Sequence, residues 1–173
     1  MSTAESQFEW IWNDPAHLDA HIRDFLVDPS EILASIHEQI AAGKPGEQEI
    51  QDAFDRREEL WFHQDIQLPE PVGWTGLREV CKDGTQSFWG YRTGRFLPSH
   101  LCLGEKEQTA WLCLWGRWEP GRFVIHTMYP GRVAPREIHD RGLPIEELQE
   151  SIDFWQCHAI VVSEGEYRLA PDS

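Results

Sequence analysis

The chain has 173 residues, 40% hydrophobic and 26% charged, which provides for a packed core and excludes wholesale disorder. No apolar run approaches the roughly 20 residues of a membrane span, and MSTAESQFEWIWND lacks the basic and apolar regions of a secretory signal. Thirty acidic residues against 15 basic ones give a net charge of −15, a balance that taken alone argues against a nucleic-acid partner.

The first third reads as helices. Asp14-Pro15 is an N-cap followed by proline at the first helical position, and Leu18, Ile22, Phe25 and Leu26 recur at helical spacing. Val27-Asp28-Pro29 ends that helix on this reading. Ser30 then caps a second one, with the apolar stripe Ile32, Leu33, Ile36 and Ile40. Gly43-Lys44-Pro45-Gly46 breaks the chain before a third helix expected from about Glu47 to His63.

From Pro69 onward, β-branched and aromatic runs alternate with Gly, Pro and Asp. Strands are expected near Leu77–Lys82, Thr85–Tyr91, Ser99–Leu103, Thr109–Trp118, Arg122–Tyr129 and Cys157–Val162. Asp83-Gly84 and Glu119-Pro120-Gly121 read as hairpin turns, and Pro144 opens one more helix through IEELQESIDFW. The fold class is therefore α+β: an acidic helical unit over 1–66, then an antiparallel β-sheet domain with one helix over 67–173. The two parts can equally form a single compact domain. Four cysteines, Cys81, Cys102, Cys113 and Cys157, have no CxxC spacing and fit reduced thiols in a cytoplasmic protein.

No phosphate loop, dinucleotide fingerprint, nucleophile elbow or HExxH zinc motif occurs, so no cofactor or metal is expected. Charge is unevenly spread. Residues 1–70 hold 16 acids and 4 bases, and residues 143–173 hold 7 acids and 1 base. Between them, residues 71–142 hold 7 acids and 10 bases, eight of the ten being arginine. This basic middle contains YRTGRFLPSHLCLG and FVIHTMYPGRVAPREIHD, and with them His100, His126, His139, Thr127, Tyr129, Arg92, Arg95, Arg132 and Arg136.

Those residue types suit metal-independent cleavage of an RNA phosphodiester. One group takes the 2′-hydroxyl proton, another protonates the leaving 5′-oxygen, and cations stabilise the phosphorane. Histidine titrates in the required range, arginine forks fit phosphate oxygens, and aromatics stack unpaired bases. In a regular strand, Phe123, Ile125, Thr127 and Tyr129 share one face while Val124, His126 and Met128 share the other, so one cleft holds only one of the two sets.

HTMYPG (His126–Gly131) resembles a strand-end pattern of the barnase, EndoU, colicin-type and RelE-like ribonuclease toxins, and YRTGR (Tyr91–Arg95) adds a second, earlier strand. The resemblance spans about 60 residues of the β region. It implies toxin-like RNA cleavage and carries roles onto His126, Thr127 and Tyr129. His139, Arg95 and Arg132 join them on chemical grounds, with Arg92, Arg136, His100 and Trp89 as further substrate contacts. In this reading the acidic segment 1–66 mimics RNA and restrains the site.

Each assignment has a plainer counterpart. His100 and His126 suit buried rings bonded to backbone, His139-Asp140 suits a turn, and the arginines suit pairing with acids such as Glu146 or Glu147. His17, His21 and Asp24 suit a solvated helix face as well as a metal site, and His100 with Cys102 suits packing as well as zinc. Among nine tryptophans, Trp111 and Trp115 share one strand face and Trp118 takes the other, with Trp74 and Trp89 as the exposed pair. The alternative function is a non-enzymatic, immunity-type protein whose acidic surface neutralises a basic partner.

Overall fold

Two periods of two residues, one in WFHQDIQL and one in WLCLWGRW, organise the larger part of the molecule. A computed structural model describes residues 9–42, 61–119 and 121–171. The chain forms two compact units: Met1–Trp74 with Gln108–Val133, and Thr75–Glu107 with Ala134–Ser173. The division expected between residues 66 and 67 falls inside a strand.

The first unit holds strands β1 (Glu9–Trp12), β2 (Trp61–Gln67), β8 (Trp111–Glu119) and β9 (Arg122–Pro130) in the order β1-β9-β8-β2. β8 and β9 form the antiparallel hairpin expected around Glu119–Gly121, and β1 runs parallel to β9. One sheet face carries Phe62, Ile66, Leu112, Leu114, Trp118, Phe123, Ile125 and Met128, all buried. Ile32, Leu33 and Ile36 of helix α2 (Pro29–Ala42) cover it. Removing this apolar surface from water is the main stabilising contribution, at roughly 25 cal/mol per Å².

Helix α1 (Pro15–His21) begins as expected, with the Ala16 amide donating to Asp14 Oδ1 at 3.0 Å, but it ends at His21 and tightens into a 3₁₀ turn, Ile22–Asp24. Asp28 rather than Ser30 caps α2: the Ser30 amide donates to Asp28 Oδ1 at 2.8 Å, and Pro29 opens the helix instead of closing the preceding one. The expected third helix is overturned where it can be seen. Residues 61–63 lie in β2, and residues 47–60 are outside the described residues. Pairing with β8 along seven registered residues outweighs whatever helical spacing that segment has. Among the described residues, accordingly, no N-terminal three-helix unit is formed.

In the second unit the sheet order is β11-β5-β6-β10-β4, from β4 (Leu77–Glu79), β5 (Ser87–Arg92), β6 (Ser99–Leu103), β10 (His158–Val162) and β11 (Tyr167–Leu169). The fold is α+β as expected, but it has several sheets rather than one. β3 (Gly73–Thr75) and β7 (Glu107–Thr109) make a further two-stranded sheet. The expected hairpin across Asp83-Gly84 does not form: β4 pairs with β10, and β5 with β6 and β11. The Thr85 amide donates instead to Asp83 Oδ1, closing a local turn.

The segment after Pro144 starts as a 3₁₀ turn, Ile145–Glu147, and continues as helix α3 (Leu148–Cys157). Cys157 closes α3 and forms a disulfide with Cys81, 76 residues away, so the expectation of four reduced thiols is corrected for this pair. Spacing in the sequence does not report which cysteines the fold brings within 4.9 Å at Cα. Cys102 and Cys113 are free and buried. Among the described residues no helix is long and apolar enough to cross a membrane.

Candidate functional site on the outer face of the four-stranded sheet

Opposite the core, the neighbouring strands β2, β8 and β9 lay polar and aromatic side chains in registered rows. His63, Trp115 and Thr127 are cross-strand partners, and Asp65, Cys113 and Tyr129 form the adjacent row. The bulge in β9 decides what this face contains. Trp115 pairs with Thr127 but Gly116 pairs with Ile125, so His126 is an extra residue in its strand. The bulge reverses the alternation beyond it, and Phe123, Ile125 and Met128 all go into the core.

The expected division of β9 into two faces is therefore corrected. His126 lies beside Trp115 and Trp61, at ring-centroid distances of 5.5 and 5.1 Å, while Thr127 and Tyr129 also face away from the core. Gly116 permits the kink: a Cβ there would collide with the Phe123 ring and the Val124 carbonyl oxygen.

Helix α1 completes the face. His17 Nε2 lies 3.0 Å from Thr127 Oγ1, and the His21 ring sits 5.7 Å from Tyr129. The hydroxyl bond and the His17–His21 edge contact at 5.2 Å use the pair within this surface, and no group of three or more metal-binding side chains occurs among the described residues. Arg132 is held in two ways. Its Nε donates to Asp65 Oδ2 at 2.9 Å, and its guanidinium stacks over Trp111 at 4.3 Å. The side chain remains 60% exposed, leaving its Nη edge available to an anion.

Burial sets the protonation of this face. Desolvation lowers the His63 pKa below its usual 6.5, with Asp65 opposing, so the ring is predominantly neutral at pH 7. Burial also pushes the Cys113 thiol up to about 11 and raises Tyr129, leaving both protonated. Cys113 Sγ is 3.8 Å from His63 Nε2, but a buried, protonated thiol is a packing group rather than a nucleophile. His126 is half-buried, and its Nε2 is buried without a hydrogen-bond partner.

The other residues singled out from sequence belong to the second unit. His100 is buried, its Nδ1 donating to the His158 carbonyl at 2.7 Å and its ring stacking on Trp89 at 5.0 Å. His139 is exposed and meets Trp89 edge-on at 5.2 Å. Its neighbour Asp140 accepts from the Gly142 amide at 2.8 Å, so that carboxylate closes a turn.

Glu137 accepts from Arg92 Nη2 and from Ser99 Oγ, each at 2.8 Å, and pairs with Arg95 at 3.6 Å. Arg136 donates to the Gly142 carbonyl at 2.6 Å. Cys102 is a packed thiol within the Val80, Ala159 and Val161 cluster.

Sequence reasoning missed His63 and Asp65, because Trp61–His63 was read as the end of a helix and the residues after it were given no strand. The signal was the alternation of Phe62, Ile66 and Leu68 with Trp61, His63, Asp65 and Gln67. The chain matches no known protein family, no curated protein and no solved structure.

Proposed function

We propose that the protein is a metal-independent endoribonuclease acting from this outer face, in the manner of the ribonuclease toxins its HTMYPG segment resembles. The observation that carries the reading is the β9 bulge, which lets His126, Thr127 and Tyr129 share a face with His17, His63 and the oriented Arg132 while Phe123 and Ile125 stay in the core. We assign proton transfer to His63 and His17 rather than to His126, whose Nε2 is shut away from solvent.

Neutral His63 takes the proton of a 2′-hydroxyl as its oxygen forms a bond to phosphorus. The bond from phosphorus to the 5′-oxygen breaks, and His17 supplies the proton that oxygen requires. The products are a 2′,3′-cyclic phosphate and a free 5′-hydroxyl. Arg132 and Thr127 bind the phosphorane oxygens. Trp61 and Trp115, 49% and 40% exposed, offer their rings to unpaired bases. RNA is the partner, and the cytoplasm is the setting in which such a substrate is met.

The test is incubation of total RNA in EDTA with the wild type, His17→Ala and His63→Ala, reading 2′,3′-cyclic phosphate ends. Each variant is expected to lose about 100-fold in rate. Absence of cleavage by the wild type, or cleavage by both variants at the wild-type rate, overturns the proposal.

A second reading rests on how the arginines are paired. Arg92 and Arg95 share Glu137, Arg117 and Arg122 share Glu119, and Arg78 meets Glu107. With these five arginines held on three carboxylates, the basic middle is partly compensated internally, and the net charge of −15 is left to act on a basic protein partner. A complex that weakens steeply with salt, with RNA uncut, would establish that role.

A further inference from the structure

The second unit contains a cationic recess that the ribonuclease reading does not use. It occupies about 360 Å³ at the turn joining β5 to β6, and its walls include Arg92, Arg95 and Arg168 with Tyr91, Phe96 and Tyr167. Three arginines are among its lining residues and no acidic residue is. Glu137, 15% exposed, anchors Arg92 and Arg95. One negative charge thus orients two positive ones and leaves an excess of one.

Arg168 adds another. It stacks over Tyr91 at 4.8 Å and has no ion-pair partner among the described residues. The Arg92 Nε is buried and without a hydrogen-bond partner. A positive hollow in a molecule of net charge −15 selects for an anion, and planar guanidinium forks favour phosphate or carboxylate oxygens.

The aromatic walls narrow the class. Phe96 stands 90% exposed at the rim, after a tight turn in which Gly94 has φ of +80°. Tyr91 also lines an adjoining groove of about 820 Å³ that contains Trp89, Pro98 and His139. An anion bearing a flat ring would satisfy the arginines and cover the exposed aromatic surface together.

We propose that this recess binds a nucleoside monophosphate, with Arg95 and Arg168 on the phosphate and Phe96 and Tyr91 against the base. The site is independent of the proposed catalytic face, and its test does not involve RNA cleavage.

Titration calorimetry on the full chain with uridine monophosphate, adenosine monophosphate, uridine and inorganic phosphate tests it. Saturable binding of a monophosphate at least about tenfold tighter than uridine or phosphate is expected. Arg168→Ala and Arg95→Ala are each expected to weaken it by about tenfold or more. Phe96→Ala should weaken the monophosphates and leave inorganic phosphate unchanged.

Circular dichroism checks that the variants fold, and Arg168→Lys keeps a charge at the position if the alanine variant does not. Equal binding of phosphate and nucleotide would overturn the base contact. No saturable binding, or binding indifferent to both arginine changes, would overturn the site.

Discussion

The two units spend the same residue types in opposite ways. Around the β5–β6 strands, His100 is locked to the His158 carbonyl and both Arg92 and Arg95 lean on Glu137, so polar atoms serve mainly to hold the sheet together. On the outer face of the four-stranded sheet, His17 bonds to a hydroxyl rather than a carbonyl or carboxylate and Arg132 keeps an edge in solvent. Histidine and arginine content therefore says little about where chemistry resides. What matters is which polar atoms the fold has left uncommitted, and a lone carboxylate can decide this for several neighbours.

Removing Glu137 breaks that comparison most severely. Glu137→Ala leaves the partly buried Arg92 and the fully buried Ser99 hydroxyl without their acceptor. A loss of about 3 kcal/mol is expected, toward the lower end for an uncompensated ion because Arg92 retains some exposure. Denaturant unfolding measures it, and a shift below about 1 kcal/mol would mean the pairing is no more than a surface salt bridge.

Reducing the Cys81–Cys157 disulfide sharpens the contrast between the units. The bond joins two cysteines of the second unit across a loop that includes β8 and β9 of the first, and its loss should cost roughly 2–4 kcal/mol, felt where the two cysteines are anchored. Hydrogen exchange should accelerate in β4, β10 and α3 and stay unchanged in β2, β8 and β9. Uniform acceleration throughout the chain would show that the units unfold together.

Gly116→Ala acts on the first unit through the bulge. The added methyl must displace the Phe123 ring or the Val124 carbonyl, at a cost of about 1–3 kcal/mol. It should also move His126 relative to Trp61 and Trp115, which tryptophan fluorescence can follow. An unchanged spectrum and unchanged stability would mean that Gly116 does not hold the bulge.

The bulge also explains how far the molecule was legible in its sequence. The α+β class, the β8–β9 hairpin and the β6 boundaries followed from alternation and turn residues, which are local properties. The orientation of His126 did not, because one extra residue against Gly116 changes every direction after it, and register depends on the partner strand. β2 was hidden by a similar limit: its pairing with β8 spans some fifty residues. His126, Thr127, Tyr129 and Arg132 could be named as chemically able residues, but their gathering with His63 and Asp65 is a product of tertiary register.

The smallest expected effect is also the most local. His63 has a folded-state pKa below the 6.5 of the free side chain because partial burial penalises its charged form. Between those two values the unfolded chain binds more protons than the folded one, so stability rises with pH across the interval. The contribution is fully present above about 6.5, and it is lost as pH falls through the lowered folded-state value. Asp65 works against the depression through its charge. Asp65→Asn should therefore lower the His63 midpoint further and steepen the acid loss, which proton NMR of the ring resolves directly. The same substitution frees Arg132 from its Nε anchor, so its effect on RNA cleavage would combine both changes. His63→Gln, which removes the titration alone, should flatten the pH dependence of stability on the acid side of the free histidine value while leaving the Asp65–Arg132 pair intact. A midpoint that rises in Asp65→Asn would show that the Asp65 charge does not oppose the depression of the His63 pKa.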